Sequence, residues 1–571
     1  MEEEIKTNVT KPDCYISKLV FNNGQILEIE RNAIVLFVGP NNTGKSQALK
    51  DIYRKNNEKI PSIVIKDLQF EIEKANLLEY IKTSSKEEIN SIYRYYQGFN
   101  YSIPDGLLSN QIDAHLPEQL RGFFVAYLDT MNRLSICEPP QTITRDDIPQ
   151  HPIHYAVINK KAKEWLSANF FRAFGEPVTP NILFGASIPL CIGPRVQTDP
   201  GLSDMEDQID AYAEQLSTYK QVQNQGDGIK SFTGILLYMM IERYSTFLID
   251  EPESFLHPPQ ARIMGEIIAE TLTQQQQAFI STHSEEIVKG LLVKAPERVK
   301  VIRITRDDDQ NFFSILQNEE LERLWKDPLL RHSNILSSLF HKKVLLCESD
   351  SDCQMYSLIE EYLEEQEDRY SETLYIHCGG KQRISVVARA LRSIGIDVRA
   401  IVDLDVMNDR TILKGIIEAF GGDWKNFEKN YHILDSQLPI PRDRINRESL
   451  RIEINNILDT NTDNNINENE QKLIREAIKT TPKWEVLKTF GIAGAPSGDA
   501  TSALNNLIKD LNILGVFPVL VGELEKFVKE VGEHGPSWVE NVLKQHPDFS
   551  EPIYNEIRDF IGDVINYNRN A

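Results

Sequence analysis

The stretch Ala33-Ile34-Val35-Leu36-Phe37-Val38-Gly39-Pro40-Asn41-Asn42-Thr43-Gly44-Lys45-Ser46 decides how this chain is read. Its first six residues are an apolar, β-branched run of strand length, and they lead straight into GPNNTGKS. Gly39 and Gly44 let backbone N–H groups close around phosphates, with Asn41 and Asn42 in the same loop. Lys45 reaches the β and γ oxygens, and the Ser46 hydroxyl is placed to ligate magnesium where the next helix starts. The stretch predicts an α/β fold that holds ATP at the carboxyl end of a buried strand.

Downstream, Ser245 to Ile249 reads as a second buried strand ending in Asp250-Glu251. Asp250 is placed to hold magnesium and Glu251 to polarise an attacking water as general base. The competing reading is a helix N-terminus, because Asp-Glu-Pro also starts helices. A third strand end, Gln277 to Ser281 followed by Thr282-His283, puts His283 where it can hydrogen-bond a γ-phosphate. The segment Gly226-Asp227-Gly228-Ile229-Lys230-Ser231 precedes the helix that feeds the Asp250 strand. It resembles the signature loop of ABC-type ATPases, with Asn224-Gln225 in place of the usual Leu-Ser. The resemblance gives Gly228 and Ser231 a contact with ATP held by an opposite subunit. The run Asp250 to Pro258 (DEPESFLHP) resembles the extended Walker B segment of SMC-like and RecF-like ATPases, which implies dimerisation with ATP between heads.

A second set of chemistry-bearing residues follows. Lys343-Val344-Leu345-Leu346-Cys347 reads as a buried strand ending in Glu348, with Asp352 at the start of a helix. Val398 to Val402 reads as another strand, ending in Asp403-Leu404-Asp405. Divalent cations with oxygen ligands need several carboxylates converging at adjacent strand ends, and two ions so held can clamp both oxygens of a phosphodiester. Either acidic pair alone also fits a helix cap. Strand-Glu followed by strand-Asp-x-Asp resembles a Toprim domain.

With that, the whole chain resembles the OLD (overcoming lysogenization defect) family, in which an ABC-type ATPase precedes a Toprim nuclease. A strand from Gly515 ending in Gly522-Glu523-Leu524-Glu525 resembles that family's late acidic motif, with Glu525 favoured over Glu523 as the inner ligand. The expected layout is an ATPase domain over residues 1–335 with a helical insertion at about 52–220, then a Rossmann-like Toprim domain over 340–571 with an insertion at about 440–505. The resemblance implies a DNA endonuclease using ATP and Mg2+ (or Mn2+), with Glu348, Asp352, Asp403, Asp405 and Glu525 as metal ligands. It also implies a homodimer or higher oligomer formed through the ATPase domains, and a role in defence against bacteriophage. It leaves room for a regulatory partner: a protein, a reverse transcriptase, or an RNA or DNA element.

Two departures stand out. Glu348-Ser349 replaces the usual Glu-Gly, and Ser537 stands where a late basic residue is sought, with Lys381 and Lys544 as substitutes. These keep a rival reading open, a nucleotide-gated sensor or scaffold whose Toprim half is a silent docking surface. A topoisomerase or primase would need a tyrosine-bearing DNA-binding domain or a zinc module, and neither pattern is visible.

Composition sets the outer bounds. At 571 residues the chain is too long for one core. A formal charge of -23 excludes DNA binding by bulk attraction, so any contact is local. One candidate is the stretch from Lys381 through Arg383, Arg389 and Arg392 to Arg399, equally readable as a solvated helix face. The six cysteines show no CxxC pair and read as reduced core residues. No apolar run approaches the roughly 20 residues that span a bilayer, and the Met1-Glu2-Glu3-Glu4 start is unlike a signal peptide. A cytoplasmic protein without membrane contact is expected. The Asn/Asp-rich stretch 455–465 reads as a surface loop.

Overall fold

The computed structural model describes residues 9–54, 62–90, 93–109, 116–144, 147–194, 196, 204–307, 310–316, 335–438, 447–459, 466–478 and 484–567. The chain divides into two compact units, Met1–Asp327 and Pro328–Ala571.

The first unit is organised by a six-stranded sheet. Its order is Gln310–Leu316, Val299–Asp307, Ile34–Val38, Gln277–Ser281, Thr246–Asp250 and Val125–Leu128. All neighbours are parallel except the antiparallel Gln310–Leu316 edge. Ile34–Val38 is buried at every position, which explains its unbroken apolar run: a parallel strand covered on both faces has no polar side to alternate with. Register places Phe37 opposite Ser281, and Ser281 opposite Asp250. The P-loop, the Asp250-Glu251 turn and the Thr282-His283 turn therefore leave the sheet at the same edge.

The 52–220 interval is less of a separate insertion than expected. Ile65–Ile72 pairs with Cys14–Phe21, and Val125–Leu128 is a strand of the central sheet, paired with Thr246–Asp250. Phe123 and Phe124, as apolar as the strand they precede, close the helix Glu118–Phe124. Besides helices, the interval holds a small sheet of Lys86–Asn90, Tyr93–Gly98 and Tyr101–Pro104. The helix Lys160–Phe174 is bounded by its own sequence. Asn159 accepts from the N–H groups of Lys161 and Ala162, and Gly175 ends it at φ 73°.

The second unit holds a four-stranded parallel sheet in the order Thr373–His377, Lys343–Cys347, Asp397–Val402 and Val516–Pro518. Ser349, where a glycine was expected, is the N-cap of helix Asp350–Gln366. Its hydroxyl accepts from Asp352 N–H and Asp352 answers on Ser349 N–H, a reciprocal box that accounts for the serine. The last strand is shorter than read, ending at Pro518 rather than running on to Glu525. Gly522 then turns at φ 112°, and Leu524–Lys526 is a short 3-10 helix. The basic stretch is mixed in character. Arg383, Arg389 and Arg392 lie on helix Lys381–Ser393, but Arg399 is buried in the sheet, donating to Val564 O and Ile565 O.

All six cysteines are buried and unpaired. Among the described residues no helix is long and apolar enough to cross a membrane. Residues 317–334, between the two units' sheets in sequence, and residues 460–465 of the Asn/Asp-rich stretch lie outside the described residues.

Candidate functional site

In the first unit the P-loop has the backbone its glycines were read to provide. Gly39 sits at φ 142°, where a Cβ would lie 2.1 Å from Ile304 O, and Gly44 at φ 96°. Lys45 begins helix Lys45–Arg54, and its Nζ donates to Gly39 O (2.9 Å) and Pro40 O (2.7 Å) inside the loop. Burial lowers its pKa, opposed by the carboxylates of Glu251, Glu253 and Asp250. Those carboxylates therefore face the P-loop lysine, as a cation-binding nucleotide site requires. Ser46 is half-buried beside it, and Asn41 and Asn42 are exposed.

Asp250 accepts a hydrogen bond from Ser281 Oγ, which ties the two strand ends together. Glu251 adopts φ 48°, a left-handed conformation that costs a residue with a Cβ about 1–2 kcal/mol. Its N–H donates to Ser281 O at 2.9 Å. His283 Nδ1 lies 3.6 Å from Glu251 Oε1 and 3.2 Å from Glu253 Oε1. The hydrogen bond between His283 and Glu251 raises the imidazole pKa and lowers that of the carboxyl, so this pair favours the charged forms.

Glu253 was not singled out in the sequence, although it lies within the DEPES run. It is buried, and its Oε1 accepts from Thr282 Oγ1 and His283 N–H, both at 2.9 Å. Burial raises its pKa. Its place two residues beyond Glu251 was visible, but its role in holding the His283 turn depends on the sheet register.

The Gly226–Ser231 segment divides. Gly226 and Asp227 are exposed at the start of helix Asp227–Met239, and Gly228 packs against Phe255 O, which a Cβ would approach to 2.6 Å. Ser231 is fully buried, its hydroxyl accepting from Arg133 Nε at 3.1 Å. It is therefore turned into its own chain, away from the surface an opposite subunit would meet.

In the second unit, carboxylate oxygens of Glu348, Asp403 and Asp405 all lie within 4.8 Å of one another. Glu348 Oε1 accepts from Asp403 N–H at 3.2 Å. Burial, with Asp405 alongside, pushes the Glu348 carboxyl up to about 7. Burial and the Glu348 charge push Asp403 well above the carboxylate range. Hard oxygen donors this crowded fit a divalent cation, which would replace the shared protons. Asp352 is committed to the helix cap on Ser349, and burial raises its pKa, with Glu525 adding to the rise.

Glu525 is not drawn into that trio. It forms a second cluster with Glu523 and His534, again with ligand atoms within 4.8 Å, and accepts from Gly535 N–H at 2.9 Å. Glu523 is the residue tied to the trio, because Lys488 Nζ lies 3.3 Å from Glu523 Oε2 and 3.6 Å from Asp405 Oδ2. Burial works against the charge on Lys488, but Asp405, Glu523 and Asp403 hold its pKa above the ordinary value. Lys381 donates to Asp405 Oδ1 at 2.7 Å. Lys544 and Ser537 are exposed.

Lys488 was missed in the sequence, where helix Glu485–Phe490 lies inside the 440–505 insertion. Its placement comes from Gly522, where a Cβ would sit 2.2 Å from Lys488 O, so that glycine lets the two backbones meet. A cleft of about 740 Å³ opens beside the second cluster, lined by Phe490, Lys526, Lys529 and His534 among others.

The fold and these sites define a P-loop ATPase joined to a Toprim domain. Residues 211–289 match the family described as "AAA domain, putative AbiEii toxin, Type IV TA system". Residues 339–405, from before the Glu348 strand through Asp405, match "Overcoming lysogenization defect protein-like, TOPRIM domain". The Old nuclease of Escherichia phage P2 is 25% identical over 167 residues, 28% of this chain and 28% of that protein. The matched part thus spans little more than a quarter of the curated relative. Among solved structures, an SMC head bound to the C-terminal winged-helix domain of ScpA aligns over 54% of this chain and 99% of its own, at 14% identity and TM-score 0.33. The SMC head domain from Thermotoga maritima aligns over 54% and 98%, at 12% identity and TM-score 0.27. The two matched segments are those of an ATPase and of an OLD-like Toprim domain, in that order along the chain.

Proposed function

We propose that this protein is an ATP-regulated endonuclease that cuts DNA with divalent metal ions, Mg2+ or Mn2+, acting in the cytoplasm as a homodimer or larger assembly. The observation that carries the reading is the convergence of Glu348, Asp403 and Asp405 at the carboxyl ends of adjacent parallel strands. Carboxylates crowded until one holds its proton near neutral pH are better suited to a cation than to structural packing.

Glu348, Asp403 and Asp405 would hold one ion, and Glu525 with Glu523 would take part in a second, with Asp352 holding the turn that carries Glu348. Bound ions would supply an acidified water and polarise the phosphodiester. Lys381 stays with Asp405 and fixes its orientation. Lys488, bridging Asp405 and Glu523, is placed to shift onto a phosphate oxygen and neutralise developing charge. Lys526 and Lys529 share the cleft with Glu525, Glu533 and Glu556, and Phe490 offers one exposed aromatic ring there for a base to stack on.

In the first unit Gly39, Asn41, Asn42, Gly44, Lys45 and Ser46 would hold the nucleotide phosphates, and Asp250 would hold its magnesium ion. Glu251 would orient the attacking water, with His283 at the γ-phosphate. The exposed Gly226 and Asp227, with Gly228 beside them, would meet the nucleotide of a second copy. A role as an effector of defence against bacteriophage, with a protein or nucleic-acid partner, rests on family resemblance alone.

The test is nicking of supercoiled plasmid with Mg2+ or Mn2+, with and without ATP. Metal-dependent nicking that disappears in Asp403→Ala supports the nuclease, and Glu251→Gln reports which way turnover gates it. Intact ATPase with no cleavage under any condition favours the rival, a nucleotide-gated scaffold with a silent Toprim surface.

A further inference from the structure

Arg133, on the short helix Thr130–Ser135, is the largest fully buried charged side chain among the described residues. It has no carboxylate within ion-pair distance among the described residues, and every guanidinium N–H is donated elsewhere. Nε donates to Ser231 Oγ at 3.1 Å. Nη1 donates to Leu128 O at 3.2 Å and to Asp250 O. Nη2 donates to Glu251 O at 3.1 Å and Thr130 Oγ1 at 3.5 Å. A leucine or methionine would fill the same space and leave several buried carbonyls unpaired, each at a cost of about 1–3 kcal/mol. The arginine is therefore a hub for peptide oxygens, and two of those belong to the hydrolytic turn.

The partners on either side are rigidly held. Glu251 sits in the left-handed region, so its peptide keeps its direction only while its carbonyl and N–H are both bonded. On the other side, helix Asp227–Met239 lies so close to Thr130–Ser135 that a Cβ on Gly234 would fall 2.2 Å from Arg133 O. Cys137 Sγ donates to Lys230 O at 3.3 Å, a further tie to the same helix. The first turn of that helix is its exposed end, with Gly226 and Asp227 open and Gly228 seated on Phe255 O.

We propose that Arg133 is a positioning residue that couples helix Asp227–Met239 to the Asp250-Glu251 turn. A nucleotide γ-phosphate held by a second copy, pressing on the helix's exposed first turn, resets the hydrolytic carboxylate of this chain through the Ser231–Arg133 bond. The proposal rests on the ATPase reading given above and assigns Ser231 to relay within its own chain, not to direct nucleotide contact. Packed helices have no soft path between these points, so a displacement at Ser231 must be taken up at the Asp250 and Glu251 carbonyls or break a buried hydrogen bond.

The test compares the full-length wild type with Ser231→Ala and Arg133→Lys. It measures affinity for a fluorescent ATP analogue, phosphate release against protein concentration, and thermal melting. Ser231→Ala removes one bond and leaves the carbonyl hub intact. The expected result is turnover about tenfold lower in Ser231→Ala and lower still in Arg133→Lys. Analogue affinity stays within about twofold, and the rise of specific activity with protein concentration is lost. Should Arg133→Lys fail to fold, Ser231→Ala decides alone. Wild-type turnover in Ser231→Ala overturns the relay. So does a parallel loss of affinity, turnover and melting temperature, which would mark a structural prop. Wild-type protein that binds and hydrolyses no ATP overturns the underlying ATPase reading, and the relay with it.

Discussion

The two candidate centres use the same architectural device, ligands at the carboxyl edge of a parallel sheet, yet they are assembled differently. In the first unit each contributing loop is a short contiguous motif leaving its own strand. The P-loop, the Asp250-Glu251 turn and the Thr282-His283 turn come from three neighbouring strands in perfect register. In the second unit only Glu348, Asp403 and Asp405 are arranged this way. The rest of the centre is contributed by Glu523, on a turn after a strand that ends early, and by Lys488, from a helix in an insertion. A nucleotide presents the same phosphate chain each time, and one loop sequence can be shaped to it. A phosphodiester of DNA, the substrate proposed for the second centre, would arrive from outside, and its site would be completed by surfaces that need not be neighbours in sequence.

The contrast is broken most directly by asking whether the centres fail separately. Lys45→Ala should cut nucleotide turnover about 100-fold or more, while calorimetric titration of divalent cation into the second unit's site is unchanged. Asp403→Ala should do the reverse. Loss of both activities in either variant would mean that one centre is a structural requirement of the other.

Lys488 sharpens the difference. Lys488→Ala should lower plasmid nicking about 10- to 100-fold, and Lys544→Ala, whose side chain is exposed, should cleave as wild type does. Equal rates in the two variants would return the insertion to a packing role.

A smaller loss is expected in the first unit. Glu253→Gln keeps the size of the side chain but removes the buried charge beside His283. Turnover should fall about three- to tenfold, with the pH profile shifting as the imidazole loses an acidic neighbour. An unshifted profile would show that Glu251 alone sets the state of His283.

The weakest effect is on stability. The Glu348 carboxyl is raised from 4.5 to about 7, so the folded form binds its proton more tightly than the unfolded form. Stability from this group is full below the unfolded value and is lost as pH rises through the folded one. In EDTA, the melting temperature of wild type relative to Glu348→Gln should therefore fall between pH 5 and pH 7, measured by differential scanning calorimetry. Added divalent cation should reverse the fall, increasingly as the carboxyls ionise. A difference that stays flat with pH would show that the trio does not share protons as its burial implies.

Much of the first unit was legible because its chemistry is written in local patterns. A fully buried parallel strand reads as an unbroken apolar run, and its terminal residues announce the loop that follows. The same logic found Glu348, Asp403 and Asp405. It failed where a strand stopped early: Gly515 to Gly522 is apolar enough to continue, but Pro518 cannot donate to a neighbour and Gly522 turns the chain. That shortening is what separates Glu525 from the trio. The apolar run at 123–128 divides between helix and strand for a related reason, since Phe123 and Phe124 bury equally well on a helix, and periodicity over six residues does not choose.

Local sequence was enough to place a P-loop, to pair that loop with acidic and histidine-bearing strand ends, and to mark a second acidic centre of Toprim pattern. These are properties of short segments, whose backbone and side-chain chemistry do not wait on the rest of the fold. Long-range packing put Val125–Leu128 in the central sheet, turned Ser231 toward Arg133 and away from the surface, and set Glu253 to hold the His283 turn. The same packing brought Lys488 between Asp405 and Glu523. Each of these is a contact between residues far apart in sequence. It is fixed by register and by the close approach of backbones at glycines such as Gly234 and Gly522, and no local pattern encodes which distant carbonyl will be there.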